Sequence, residues 1–131
     1  MLTEVVNNKK KILLATLVLV FTLLFTVNTV YAATATAHIY PGKTSDTSSK
    51  ITATKSNGSL SVVSGGPNYY VKGYAKRSIN YWPDSTAASI IAYPGKSRST
   101  NFSANSGSKY YAQANAQTGS TGVYGEAKIR F

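Results

Sequence analysis

From residue 33 onward, apolar and polar residues alternate in short runs that are separated by turn residues. Residues 33–40, 109–117 and 123–131 each place small or apolar residues at every second position. Because successive side chains of a strand point to opposite faces, this alternation predicts half-buried β-strands. Shorter runs predict further strands over residues 51–55, 60–62, 69–76, 87–93 and 100–104.

About eight short strands with regularly spaced turns predict an all-β domain, a small antiparallel β-sandwich. The inward positions carry mainly Ala, Gly, Val and Ile, which let two sheets approach closely, so a thin sandwich is favoured over a hollow barrel. The strand over residues 69–76 can continue to Trp82 through a bulge near Arg77-Ser78. The run over residues 87–93 is rich in Ala and Ile and predicts a buried strand.

Turn residues divide these strands. Tyr-Pro-Gly-Lys occurs twice, at residues 40–43 and 93–96. Proline presets the second position of a tight turn and glycine accepts the positive φ of the third, so each copy predicts a type II turn at the end of a strand. Asn57-Gly58 predicts a two-residue hairpin turn, and the polar residues 44–49 predict a loop.

An internal duplication is a further hypothesis, with convergent β patterning as its alternative. The two Tyr-Pro-Gly-Lys turns lie 53 residues apart, and the tyrosine pairs at 69–70 and 110–111 lie 41 residues apart. Two degenerate repeats would therefore require some twelve extra residues in the first copy, which we assign to the Asn57-Gly58 hairpin. Two such copies would pack face to face as pseudo-symmetric halves.

The amino-terminal residues have the three parts of a secretory signal peptide. Lys9, Lys10 and Lys11 precede the apolar run 12–27, and Val30-Tyr31-Ala32 offers small residues for cleavage. We therefore predict a signal peptide over residues 1–32 and a single secreted β domain over residues 33–131, from a bacterial exporter. The alternative is an uncleaved segment that anchors the protein in the membrane.

The charge balance favours anionic partners. The chain holds 14 Lys and Arg against 4 acids; three of the cations and one acid precede residue 32, which leaves 11 and 3 in the domain. An excess of this size attracts polyanions over a long range. We expect an anionic polymer or membrane surface, such as teichoic acid, acidic polysaccharide or anionic lipid, whereas nucleic acid is disfavoured for an exported protein. The alternative is a soluble basic surface without a dedicated partner.

The residue inventory argues against enzymatic chemistry, metal binding and a cofactor. The chain has one His and no Cys. His38 lies in an alternating strand without a nucleophile motif near a serine. Asp46 and Asp84 lie in predicted turns, where Asp is common for backbone reasons, and Glu126 is expected to pair across a sheet.

The strongest candidate for function is a set of aromatic and basic residues on two strands. Tyrosine rings can stack on sugars and donate hydrogen bonds, while Lys and Arg attract phosphate or carboxylate groups. The alternative is a solvated sheet face, since Tyr favours strands and Lys protects exposed ones. The candidate binding residues are Tyr70, Lys72, Tyr74, Lys76, Tyr124, Lys128 and Arg130.

Gly122-Val123-Tyr124-Gly125-Glu126-Ala127-Lys128-Ile129 resembles a segment of the small exported bacteriocins of the lactococcin 972 type. Those proteins share a signal peptide, a cysteine-free chain and a Tyr-rich basic domain. The histidine-rich and tryptophan-bearing parts of that family are missing here. The resemblance implies, as an alternative function, an antibacterial protein that acts at the envelope of competitors.

Overall fold

The computed structural model describes residues 6–16 and 32–131 of the chain. The chain divides into Met1–Tyr31 and Ala32–Phe131. Residues 6–16 form a helix; the predicted cleavage motif up to Tyr31 and most of the predicted apolar core lie outside the described residues. Within the described ranges, no helix has the length and apolar character needed to cross a membrane.

Ala32–Phe131 is an all-β unit, as the alternation predicts. The described residues of its hydrophobic core all lie within Ala32–Phe131, and this unit is the form used in the proposed experiments. Its nine strands are β1 (Thr34–Ile39), β2 (Ser45–Thr47), β3 (Ile51–Thr52), β4 (Asn57–Ser64), β5 (Val71–Arg77), β6 (Ser85–Ala92), β7 (Ser97–Ser103), β8 (Lys109–Ala116) and β9 (Gly125–Arg130).

The strands form two antiparallel sheets that pack as a sandwich. The first sheet has the order β1-β9-β4-β7, and the second has the order β2-β8-β5-β6, with β3 also paired to β8. Four pairs of consecutive strands lie in opposite sheets and contact each other across the sandwich: β1 with β2, β4 with β5, β6 with β7, and β8 with β9. This interleaved order is the double Greek key of a jelly roll.

Both Tyr-Pro-Gly-Lys segments form the predicted type II turns. Gly42 and Gly95 have φ angles of 92° and 68°. The amide of Lys43 donates to the carbonyl of Tyr40, and that of Lys96 to Tyr93, each at 2.9 Å. One turn leads from β1 to β2 and the other from β6 to β7, so each carries the chain from one sheet to the other at an outer edge of the sandwich.

The hairpin predicted at Asn57-Gly58 is wrong. Both residues belong to β4, where Gly58 pairs with Phe102 of β7. Gly58 is required for packing and not for a turn, because a Cβ there would lie 2.6 Å from the Phe102 ring and 2.8 Å from the Phe131 ring. These two rings and that of Tyr110 form an aromatic cluster with centroid separations of 5.3–5.9 Å.

The loop predicted over residues 44–49 instead contains β2, which pairs with β8 through Asp46 and Ala114. Asp46 stabilises this short strand because its carboxylate also reaches the facing edge strand. Its Oδ2 accepts the amide N–H of His38 in β1 at 2.8 Å, and its Oδ1 accepts the Lys43 ammonium at 2.6 Å. One carboxylate therefore ties the two sheets together at an edge.

The predictions for the next two strands need correction as well. β5 ends at Arg77 and does not continue to Trp82. One further bond of the β5–β8 ladder follows, from the amide of Ser78 to the carbonyl of Lys109 at 2.9 Å. Asp84 then accepts the amide of Ile79 at 3.0 Å, which closes a turn over residues 79–84. The irregularity in pairing lies between Ala75 and Lys76, not at Arg77-Ser78, and it faces Ala87. β6 is a half-exposed edge strand rather than a buried one.

The inward positions of the sandwich are those that the alternation predicts, and the sheets pack closely. Val71, Gly73 and Ala75 of β5 face inward, as do Ala127 and Ile129 of β9. A Cβ on Gly73 would overlap the side chain of Val62 in the opposite sheet and lie 3.1 Å from the Cβ of Ala127. The centre of the sandwich is therefore as thin as its smallest residues allow.

The predicted face-to-face packing of two repeats is wrong, because each sheet takes strands from both halves of the chain. The topology nevertheless has an internal symmetry. If β1, β2, β4 and β5 are exchanged in turn with β6, β7, β8 and β9, the strand order of the first sheet becomes that of the second sheet, read in reverse. The first residues of these pairs lie 51, 52, 52 and 54 residues apart. Such spacing needs no twelve-residue insertion, and it matches Tyr70 to Tyr124 rather than to Tyr111. The duplication itself stays a prediction.

We expect Gly73→Ala to lower the free energy of unfolding by about 1–3 kcal/mol, because the added methyl group overpacks the centre of the sandwich. Denaturant unfolding measures this change. Gly66→Ala is the matched control, since a Cβ there meets nothing within 4 Å. Adding Val62→Ala should recover part of the loss. Equal effects at Gly73 and Gly66 would contradict the packing constraint.

Asp46 should make stability depend on pH. The hydrogen bond from Lys43, assisted by the His38 amide, holds the pKa of this carboxyl below its usual value of 3.8. The stabilisation is therefore complete above that usual pKa and is lost as the pH falls through the lower folded value.

Asp46→Ala should cost about 1 kcal/mol at neutral pH and should reduce the acid-induced loss of stability. Unfolding midpoints measured from pH 7 to pH 2 test both expectations. An unchanged acid limb in the variant would show that Asp46 does not contribute.

Candidate functional site

The structure divides the seven candidate binding residues between two faces. β5 belongs to the second sheet and β9 to the first, so their outward side chains lie on opposite sides of the sandwich. Lys72, Tyr74 and Lys76 lie together on the outer face of the second sheet, with Tyr70 just before β5. Lys128 and Arg130 lie on the outer face of the first sheet, with Tyr124 just before β9.

On the outer face of the first sheet, part of the positive charge is paired with an acidic side chain of the same face. Glu126 Oε1 lies 3.6 Å from the Lys128 ammonium, and its Oε2 lies 3.7 Å from His38 Nδ1 on the neighbouring strand. The cross-sheet pairing expected for Glu126 is thus present. The Tyr124 ring packs 6.0 Å from that of Tyr40. Lys128 and Tyr124 therefore already have partners on this face.

On the second sheet, the outward side chains of β5 form a stripe with the Tyr74 ring at its centre. The Lys72 and Lys76 ammonium groups lie 5.2 Å and 5.9 Å from the centroid of that ring. Such separations permit cation–π attraction. On the neighbouring strand β8, Gln113 lies opposite Tyr74 and Asn115 lies opposite Lys72. The stripe is thus bordered by amide side chains that can donate and accept hydrogen bonds.

One end of the stripe meets a carboxylate. Asp84 Oδ2 accepts the Tyr111 hydroxyl at 2.7 Å, and Oδ1 accepts the amide of Ile79 at 3.0 Å. The Ile79 amide and the Tyr111 hydroxyl lower the pKa of Asp84, with help from Lys76. Burial, and then the nearby carboxylate, raise the pKa of Tyr111 to about 12. Within residues 6–16 and 32–131, no three His, Asp or Glu side chains are placed to hold a metal ion.

The other end of the stripe opens into a groove of about 430 Å³ along the edge strands β6 and β7. Lys72 lines it together with Tyr93 and Arg98. Tyr93 is 58% exposed, and the Arg98 guanidinium donates to the carbonyl of Ile91 at 3.3 Å, which holds it over the groove. We call the residues Lys76, Tyr74, Lys72, Tyr93 and Arg98 the basic-aromatic track.

Sequence reasoning missed Tyr93, the first residue of the second Tyr-Pro-Gly-Lys turn, and Arg98, two residues after it. That turn predicts only a change of direction. In the structure it joins the edges of the two sheets, so both residues line one groove with Lys72. Knowing that this turn joins the two sheets would have indicated that the residues on it and next to it line the edge of the sandwich.

No protein-family model matches the chain, and no curated protein matches it in sequence. Among solved structures, the Yersinia pseudotuberculosis-derived mitogen has 14% identity and a TM-score of 0.43, with 76% of this chain and 84% of that chain covered. PirA has 11% identity and a TM-score of 0.45, with 80% and 96% covered. These similarities are too low to support an argument about function. The argument for a function therefore rests on the residues of the site.

The Asp84–Tyr111 contact should appear in a tyrosine titration. Phenolate absorbance of the domain should show one tyrosine that stays protonated until about pH 12, and Tyr111→Phe should remove that late step. Asp84→Asn should move it to lower pH, because the negative charge that opposes ionisation is gone. A late step that survives Tyr111→Phe would assign it to another tyrosine.

Proposed function

We propose that Ala32–Phe131 is a secreted, non-enzymatic module that binds an anionic polymer of the cell envelope or matrix along the basic-aromatic track. The observation that carries this proposal is the continuity of Lys76, Tyr74 and Lys72 with a groove that holds Tyr93 and Arg98. The export part of the proposal rests on the signal peptide predicted for residues 1–32.

The extent of the track favours a polymer over a small anion. Lys72 and Lys76 are four residues apart in an extended strand, which separates their Cα atoms by about 13 Å, and both ammonium groups lie close to the Tyr74 ring between them. Arg98 adds a third cation at the far end of the track, in the groove that Lys72 lines. A chain with repeated charges can contact Lys76 and Lys72 in turn and continue into the groove toward Arg98.

The chemistry along the track suits a charged sugar polymer. The Tyr74 and Tyr93 rings offer flat surfaces for stacking, and the amides of Gln113 and Asn115 can bond hydroxyl groups. Among the described residues, Lys72 and Lys76 form no ion pair with an acid. Their charges are therefore available to a partner, in contrast to that of Lys128 on the opposite face.

Retention on isolated bacterial cell walls at increasing salt tests the proposal. The wild-type domain should bind at low ionic strength and elute as salt rises, since exposed charges are screened. Lys72→Glu/Lys76→Glu should weaken retention about tenfold, because two attractions become repulsions. Removal of teichoic acid from the walls should have a comparable effect if that polymer is the partner.

The matched control is Lys55→Glu/Lys109→Glu, which makes the same change in net charge at two exposed positions outside the track. This control should retain most of the binding. Equal losses in the two variants would reduce the interaction to overall charge and would contradict a defined track. Thermal unfolding of both variants verifies that the sandwich is intact.

A further inference from the structure

The loop between β5 and β6 presents two aromatic side chains to solvent at one end of the sandwich. Tyr81 is 102% exposed and Trp82 is 74% exposed. Tyr81 also has a φ of 65°, in the left-handed region that a bulky side chain rarely occupies. A strained backbone that exposes large apolar groups is unfavourable for folding alone, and such strain concentrates at functional sites.

The base of this loop is held in place by hydrogen bonds. Asp84 accepts the amide of Ile79 at 3.0 Å and the hydroxyl of Tyr111 at 2.7 Å. The amide of Ser78 donates to the carbonyl of Lys109 at 2.9 Å. Both stems are therefore bound to the sheet, and the tip carries Tyr81 and Trp82 outward.

This end of the sandwich is also strongly basic. β5 and β9 end there, and β3, β4 and β8 begin there, so the cations at these strand ends lie at the same end of the sandwich as the loop. Asp84 is the one acid among the described residues at this end, and it lies at the base of the loop. The cations are Lys50, Lys55, Lys76, Arg77, Lys109 and Arg130.

We propose that this end of the domain docks on the surface of an anionic lipid bilayer, with Tyr81 and Trp82 in the headgroup region. Trp and Tyr rings favour that region because one part of each ring system is apolar and another is polar. The surrounding cations add attraction to anionic lipids. The inference goes beyond the proposed polymer binding, because the loop lies outside the basic-aromatic track.

A bilayer fits the shape of this end better than a sugar does. A sugar site needs polar groups beside the stacking ring to fix the hydroxyls. Polar groups at the base of the loop line a separate cavity, formed by Ser78, Asn80, Gly107, Ser108 and Lys109, and neither Tyr81 nor Trp82 belongs to that lining. The Tyr81 ring is fully exposed, so it can enter a lipid interface, where the lipids adapt to its surface.

Trp82 is the single tryptophan of the chain, so its fluorescence reports directly on the loop. Vesicles of phosphatidylglycerol and phosphatidylcholine should shift the emission of the domain to shorter wavelength, and brominated lipid should quench it. Pure phosphatidylcholine vesicles should produce a much smaller change, and salt should reverse the effect. An unshifted emission with anionic vesicles would overturn the proposal.

Vesicle sedimentation of variants locates the contact. Tyr81→Ala and Trp82→Ala should each lower partitioning about tenfold, whereas Tyr69→Ala, which removes an exposed tyrosine at the opposite end, should leave it unchanged. Equal losses at Tyr81 and Tyr69 would overturn the docking geometry. A shift of Trp82 emission with teichoic acid and none with vesicles would also overturn it, by assigning the loop to the polymer. Loss of wall retention in Lys72→Glu, which changes only the track, with vesicle binding intact would separate the two sites and support the proposal.

Discussion

The close approach of the two sheets is the constraint on which the rest of the structure depends. Gly73 faces Val62 across the centre, and at Gly125 a Cβ would lie 2.5 Å from the carbonyl oxygen of Val63 and 2.7 Å from the Val71 side chain. Glycine and alanine occupy these positions because larger side chains do not fit. The domain has no disulfides, so this thin core and the strand ladders must supply its stability.

The thin core also decides where large side chains can be placed. In β5, Val71, Gly73 and Ala75 fill the interior while Lys72, Tyr74 and Lys76 alternate with them on the outside. The same backbone alternation therefore produces a tightly packed inside and a surface rich in rings and charges. The turn that carries the chain from β6 to β7 adds Tyr93 and Arg98 to that surface.

Much of the fold could be predicted from the sequence, because period-two alternation identifies the inward residues of β1, β5, β8 and β9 and proline–glycine chemistry identifies the turns. The assignment of strands to sheets could not be predicted, since alternation says which side chains share a face but not which strands are neighbours. Alternation therefore groups Lys72 with Lys128 although the two residues lie on opposite faces. Asn57-Gly58 predicts a turn because the dipeptide permits one, whereas the rings of Phe102 and Phe131 require a glycine in a strand.

The contact between Asp46 and His38 has a consequence for how copies of the domain behave toward each other. An outer strand offers unpaired amide groups to any strand of another molecule, which is a route to aggregation. On β1 the amide of His38 already donates to Asp46, and the Lys43 ammonium group donates to the same carboxylate. The bond that joins the two sheets thereby removes the His38 amide from the groups that this margin offers to a strand of another molecule.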